Sequence, residues 1–235
     1  MIDTVHPPIR AGRMSFFAAA IMAVWLVPAS LLEAGNYGTQ AFTFGNGTVS
    51  LGDGTVIASN DGIASVQNNA LRLTANGTGG TAASLKLANL DPGKEVQSFD
   101  VTYRLRFFAS GTPADGYSLN FGNLPSDNGG GESGFAMQGG LVIAWDTYNN
   151  GNDAPSIEVF ANGVSVGNFP QTFSFDGNYR NVIIHWDASG LDLAFNGTAI
   201  CTDLPTPGFT PSPGNRFGFT ARTGGATQDL SLIHI

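Results

Sequence analysis

Phe99-Asp100-Val101-Thr102-Tyr103-Arg104-Leu105-Arg106-Phe107 is the stretch on which the fold turns. Its odd positions are apolar and its even positions charged or polar, the period of two that puts alternate side chains on opposite faces of a strand. One face must be buried and the other wetted. The same alternation recurs at Leu71-Arg72-Leu73-Thr74, Ala83-Ser84-Leu85-Lys86-Leu87, Val182-Ile183-Ile184-His185-Trp186 and Leu191-Asp192-Leu193-Ala194-Phe195. Asp187-Ala188-Ser189-Gly190 joins the last two into a hairpin, and Asn196-Gly197 turns the chain again toward Ala199 and Ile200. Further strands are expected at Tyr117 to Phe121, Leu141 to Trp145, Ile157 to Phe160 and Arg216 to Ala221.

With 32 glycines the chain is heavily punctuated, and no segment after residue 35 carries a long amphipathic helix. At least about ten strands at this spacing exceed a small barrel and suit two packed antiparallel sheets. The expected fold is therefore all-β, a two-sheet antiparallel sandwich over residues 35–235. Leu73, Phe99, Val101, Tyr103, Leu105, Phe107, Val182, Ile184, Leu193 and Phe195 should share its core.

Residues 1–34 read as an export signal. Arg10 and Arg13 precede an apolar run from Phe16 to Val27, and small residues follow at Ala29, Ser30 and Ala34. The run is too short for a convincing membrane span, so no membrane insertion is expected once it is removed. The expected destination is secreted or extracytoplasmic, with the cell surface included. Acidic residues outnumber basic ones 18 to 10, and no basic run occurs, which argues against nucleic acid as a partner. Cys201 stands alone, so no internal disulfide holds the domain. Without an adjacent base it reads as a packed residue, and His185, between Ile184 and Trp186, reads as an outward-facing strand residue.

Two elements carry chemistry. In Trp145-Asp146-Thr147-Tyr148-Asn149-Asn150-Gly151-Asn152-Asp153 an apolar strand empties into a loop with oxygen donors at Asp146, Tyr148, Asn150 and Asp153. Carboxylates, an amide carbonyl and a backbone carbonyl are the ligands calcium prefers. Pro113-Ala114-Asp115-Gly116 opens another strand, where a fixed Asp115 carboxylate would offer two acceptors to vicinal hydroxyls and Gly116 would permit close approach.

Ala114-Asp115-Gly116-Tyr117-Ser118, the 146–153 loop and Gly218-Phe219-Thr220-Ala221-Arg222-Thr223-Gly224-Gly225, in this order, resemble the legume-lectin-like family of concanavalin A-type jelly rolls. The likeness is especially to exported bacterial lectin-like domains, and it covers roughly residues 38–228. It implies a sugar-binding aspartate at Asp115 after a cis peptide bond. It also implies one calcium ion on Asp146, Tyr148, Asn150 and Asp153, and an Asn150 amide shared with the sugar. Gly139 or Gly140 and the loop at Gly225 would add backbone donors. Ala144 stands where the family places a glutamate, and no histidine follows Asp153 closely, so no manganese is expected. Arg222 either pairs with a carboxylate such as Asp115 or holds a structural bond. Tyr117 and Phe135 are the candidate sugar-stacking rings.

Ala144 also departs from the Glu-x-Asp-x-x-Glu pattern of related glucanases, which speaks against catalysis. The expected partner is a glycan or polysaccharide, and homo-oligomers are open. The alternative is a structural or adhesive sandwich without sugar binding, and a glycoside hydrolase is a lesser one.

Overall fold

The computed structural model describes residues 35, 39–75, 79–125, 134, 139–151, 155–224 and 226–235. They belong to one compact unit, Ala34–Ile235. Its strands begin with β1 (Thr39–Gln40), β2 (Val56–Ser59), β3 (Ser65–Gln67), β4 (Ala70–Arg72) and β5 (Thr81–Lys86). The central strands are β6 (Phe99–Ala109), β7 (Asp115–Gly122), β8 (Leu141–Asp146), β9 (Ser156–Ala161) and β10 (Val164–Pro170). The series closes with β11 (Arg180–Asp187), β12 (Gly190–Phe195), β13 (Thr198–Leu204), β14 (Arg216–Thr223) and β15 (Ala226–His234).

They form two sheets, ordered β13-β12-β11-β6-β15-β4-β3 with β1 beside β15, and β10-β9-β8-β7-β14-β5-β2. Every pairing among these strands is antiparallel. The sandwich expected from the alternating pattern is what the chain adopts. All ten expected core residues are buried, and β6 alternates buried and more exposed positions as its sequence dictates.

Aromatic rings from both sheets meet between the layers. Tyr103 of β6 packs on Tyr117, Trp145 and Phe219 of the facing sheet, with centroids 6.0, 6.2 and 5.4 Å away. Phe99 meets Phe121 at 5.0 Å, and Phe121 stacks on Phe217 at 4.5 Å. Offset and edge-on ring pairs of this kind add to the stabilisation from area burial alone.

Four strands went unread in sequence, β1 among them with its two residues. β2 and β3 are short, and β10 has no clean alternation (Val164-Ser165-Val166-Gly167-Asn168). A signal for β10 existed in Asn162-Gly163, whose φ values of 49° and 78° make the hairpin turn from β9. Asn196-Gly197 does the same between β12 and β13, with φ values of 51° and 80°.

His185 does face outward on β11. Its Nδ1 lies 2.9 Å from Asp100 Oδ1 and its Nε2 3.5 Å from Asp187 Oδ2. The bond to Asp100 is the main cause of a pKa raised above the ordinary value of 6.5, with Asp187 adding to it and desolvation opposing. The pairing thus stabilises the fold fully below pH 6.5 and is lost as pH rises through the raised value. Because the ring is partly exposed the effect on stability is small. An NMR titration should place the His185 midpoint above 6.5, and Asp100→Asn should bring it down. A midpoint unmoved by that substitution would contradict the pairing.

Cys201 is half-buried, with Sγ 3.5 Å from the Leu191 carbonyl oxygen. Desolvation pushes its thiol up to about 11. The thiolate is the reactive form, so alkylation by iodoacetamide at pH 8 should run more than about tenfold slower than for an exposed cysteine. Alkylation at the exposed-thiol rate would contradict that burial.

Candidate functional site

The two chemical elements meet because β7 and β8 are antiparallel. Gly116 pairs with Asp146, so the start of β7 and the end of β8 lie at one end of the sheet. The Ala114–Asp115 peptide is cis. Two threonines pin the backbone around it. Thr147 donates both its N–H and its Oγ1 hydroxyl to the Asp115 carbonyl oxygen, each at 2.9 Å. From β14 on the other side, Thr223 Oγ1 donates to the Ala114 carbonyl at 3.3 Å. Neither threonine was singled out from sequence, since their role depends on strands distant in the chain.

Among the described residues the Asp115 carboxylate has one ion-pair partner. Its Oδ2 lies 3.1 Å from Arg222 Nε, which settles the open alternatives for that arginine in favour of the pair. Gly224 packs close by: a Cβ there would fall 2.8 Å from the Ala114 Cβ and 3.4 Å from Asp115 Oδ1. Any side chain at 224 would displace the Ala114–Asp115 unit.

The 146–151 segment curls through side-chain acceptors. Tyr148 N–H donates to Asp146 Oδ1 at 2.9 Å, and Gly151 N–H to Asn149 Oδ1 at 2.8 Å. Asp146 is buried, whereas Tyr148, Asn149 and Asn150 are exposed. Asp153 lies outside the described residues. Among the described residues no group of three His, Cys, Asp or Glu side chains converges, so ion binding here would draw on amide and backbone oxygens as well. An oxygen-only donor set with a buried carboxylate at its base fits calcium rather than a thiolate- or imidazole-seeking metal.

Ala144 is buried on the Asp146 side of β8, packed in a small apolar cluster with Leu124, Val142 and Phe160. Glu158, opposite Ala144 on β9, accepts a hydrogen bond from Asn168 Nδ2 at 2.9 Å.

Gly139 and Gly140 are not brought to Asp115. Phe121 pairs with Leu141 and Gly116 with Asp146, so these glycines sit at the opposite end of β7 and β8. Five residue steps at about 3.3 Å separate the two ends by roughly 17 Å. There Gly140 is bonded to Asn162: its N–H donates to the Asn162 side-chain Oδ1 at 2.9 Å, and Asn162 N–H to its carbonyl at 2.8 Å. Nearness in sequence to the metal loop misled, because a strand carries its two ends far apart. Tyr117 is also unsuited to stacking on a sugar, since it is fully buried against Tyr103, Trp145 and Phe219. Trp145 is packed in the core as expected. Gly225 and Phe135 lie outside the described residues.

No family model and no curated protein matches the sequence. Solved structures do match in fold. The chain is similar to the Emp47p carbohydrate recognition domain at 18% identity and a TM-score of 0.65, over 85% of this chain and 93% of that one. The VIP36 exoplasmic/lumenal domain, solved in a Ca2+/Man3GlcNAc-bound form, matches at 15% identity and a TM-score of 0.60, over 79% and 83%. The lectin from Bauhinia forficata in complex with GalNAc matches at 18% and 0.55, over 81% and 95%. The fold is that of the legume-lectin-like, concanavalin A-like carbohydrate recognition domains. Among the described residues no helix is long and apolar enough to cross a membrane.

Proposed function

We propose that this chain is an exported, non-catalytic carbohydrate-binding domain whose site is organised by one calcium ion. The observation that carries this reading is the Thr147 clamp, which fastens the Asp146–Asn150 loop directly onto the backbone of Asp115. One rigid unit then holds a carboxylate acceptor and an exposed amide donor at the same sheet end. That combination suits a polyol, whose hydroxyls both donate and accept. Asp115 Oδ1 accepts a hydrogen bond from a sugar hydroxyl and the Asn150 amide donates to a sugar oxygen. Gly224 packs against the Ala114–Asp115 unit, and Gly225 after it would add a backbone donor.

Asp146, Asn150 and Asp153 side chains with the Tyr148 carbonyl would hold calcium. When bound, the ion supplies positive charge that neutralises the carboxylates and stiffens the loop. Fold similarity to the VIP36 domain, solved in a Ca2+/Man-bound form, supports the reading. Ala144 supports the absence of catalysis, because its position on the Asp146 side of the strand carries no acid. The charged and apolar pattern of residues 10–34 supports export.

Open sites of this kind leave much of the ligand wet, so each bond adds little beyond what water supplied. Monosaccharide affinity is expected at about 0.1–10 mM, with useful strength coming from clustering. A glycan array run on clustered protein with and without calcium tests the proposal. Calcium-dependent binding to a set of glycans is expected. A blank array would sink it in favour of an adhesive scaffold, and release of reducing ends from a polysaccharide would show catalysis instead.

A further inference from the structure

Arg222 brings a cation to a site otherwise built from carboxylates, hydroxyls and amides. It sits on β14 opposite Gly116 of β7, which in turn pairs with Asp146 of β8. In strand phase Arg222 goes with Thr220 on the face away from the Phe217, Phe219 and Ala221 core positions. Asp146, in phase with Val142 and Ala144, lies on that same face. Gly116 puts no side chain between them. The Arg222 and Asp146 backbones are thus two strand spacings apart, about 10 Å, with Asp115 at the head of the intervening strand. One sugar ring with its exocyclic groups bridges such a gap.

The guanidinium is anchored and open at once. Asp115 Oδ2 lies 3.1 Å from Nε, and among the described residues no other acceptor engages the guanidinium. The Arg222 side chain is 50% exposed and that of Asp115 23%. With half of the side chain exposed and Nε taken by Asp115, the two terminal nitrogens are the donors left for a ligand among the described residues. A planar carboxylate fills the fork they make with two parallel charge-assisted bonds, whereas a hydroxyl uses one donor. We infer that Arg222 makes this a site for acidic sugars, with a uronic acid carboxylate on its fork and the ring hydroxyls on Asp115. This rests on the sugar-binding reading above and names its ligand class.

The chain's net charge of −8 opposes a polyanion at long range. At physiological salt the Debye length is about 8 Å, so scattered surface charge is largely screened while a contact pair on the fork is not. The local attraction wins.

The test uses the whole exported domain with calcium and a panel of galacturonic and glucuronic acid oligosaccharides, each as free acid and as methyl ester. The ester keeps the shape and removes the charge. Wild-type protein should bind at least one free acid about tenfold more tightly than its ester, the discrimination a charge-assisted bidentate contact supplies. Arg222→Gln should bring acid and ester to the same affinity. Arg222→Lys, which keeps the charge but not the fork, should fall between. Equal binding of acid and ester by wild-type protein, which needs no variant to fold, would overturn the inference while leaving sugar binding intact. A preference that survives Arg222→Gln would overturn the role of this residue. Failure of the whole panel together with a blank neutral array would overturn both readings.

Discussion

Asp115→Asn should abolish measurable sugar binding while leaving the fold in place. The substitution keeps the shape of the side chain and removes its charge. The bonds that locate residue 115 are made by its backbone carbonyl to Thr147, and by Thr223 to Ala114, so they survive. What is lost is a carboxylate acceptor for sugar hydroxyls. Hydrogen bonds to charged groups contribute about 1.5–3 kcal/mol, so affinity should fall by roughly ten- to a hundredfold or more. From a starting point near millimolar, that removes binding from the measurable range. The Arg222 pair lost with it is partly exposed, and such pairs are worth about 0–1 kcal/mol, so the melting temperature should move little. Titration by calorimetry beside a thermal melt checks both halves. Unchanged affinity would remove Asp115 from the site, and a large drop in melting temperature would recast it as a structural residue.

Calcium should raise the melting temperature of the metal-stripped domain by about 5–10 °C at an ion concentration near a hundred times its Kd. An ion that binds only the folded state stabilises it there by about 2.7 kcal/mol, and a domain of about 200 residues gains roughly 2–4 °C per kcal/mol. Asp146→Asn is the matched control. An asparagine Oδ1 can still accept the Tyr148 N–H bond that curls the loop, so the turn persists while the ion loses its carboxylate. Most of the calcium-dependent rise should vanish in this variant. A melt indifferent to millimolar calcium would sink the ion site, and with it the positioning of Asn150 by calcium.

These expectations draw on two kinds of information. The alternation in Phe99–Phe107 and its echoes in β11 and β12 reports directly which face of each strand is buried, because a strand repeats every two residues whatever surrounds it. The core was legible for that reason. So were the hairpin at Asp187–Gly190 and the turn at Asn196-Gly197, whose signals are local. Strand β10 was missed despite Asn162-Gly163, because its exposed edge position relaxes the demand for alternation.

The candidate site divides along the same line. The oxygen donors of the 146–150 loop lie within a few residues of one another, and residue type alone marks them as a hard-ion set. Asp115, Thr147 and the adjacent Arg222 and Thr223 come from three segments separated by tens of residues, and only strand pairing makes them neighbours. Pairing also decides that Gly139 and Gly140, close to the loop in sequence, sit at the far end of β7 and β8, and that Tyr117 points into the core. By itself, then, the sequence determined the all-β sandwich, its buried faces and the chemical character of the loop, because those follow from short-range periodicity and composition. Which residues surround Asp115 was decided by tertiary structure, because antiparallel register joins opposite ends of strands that the chain order keeps apart.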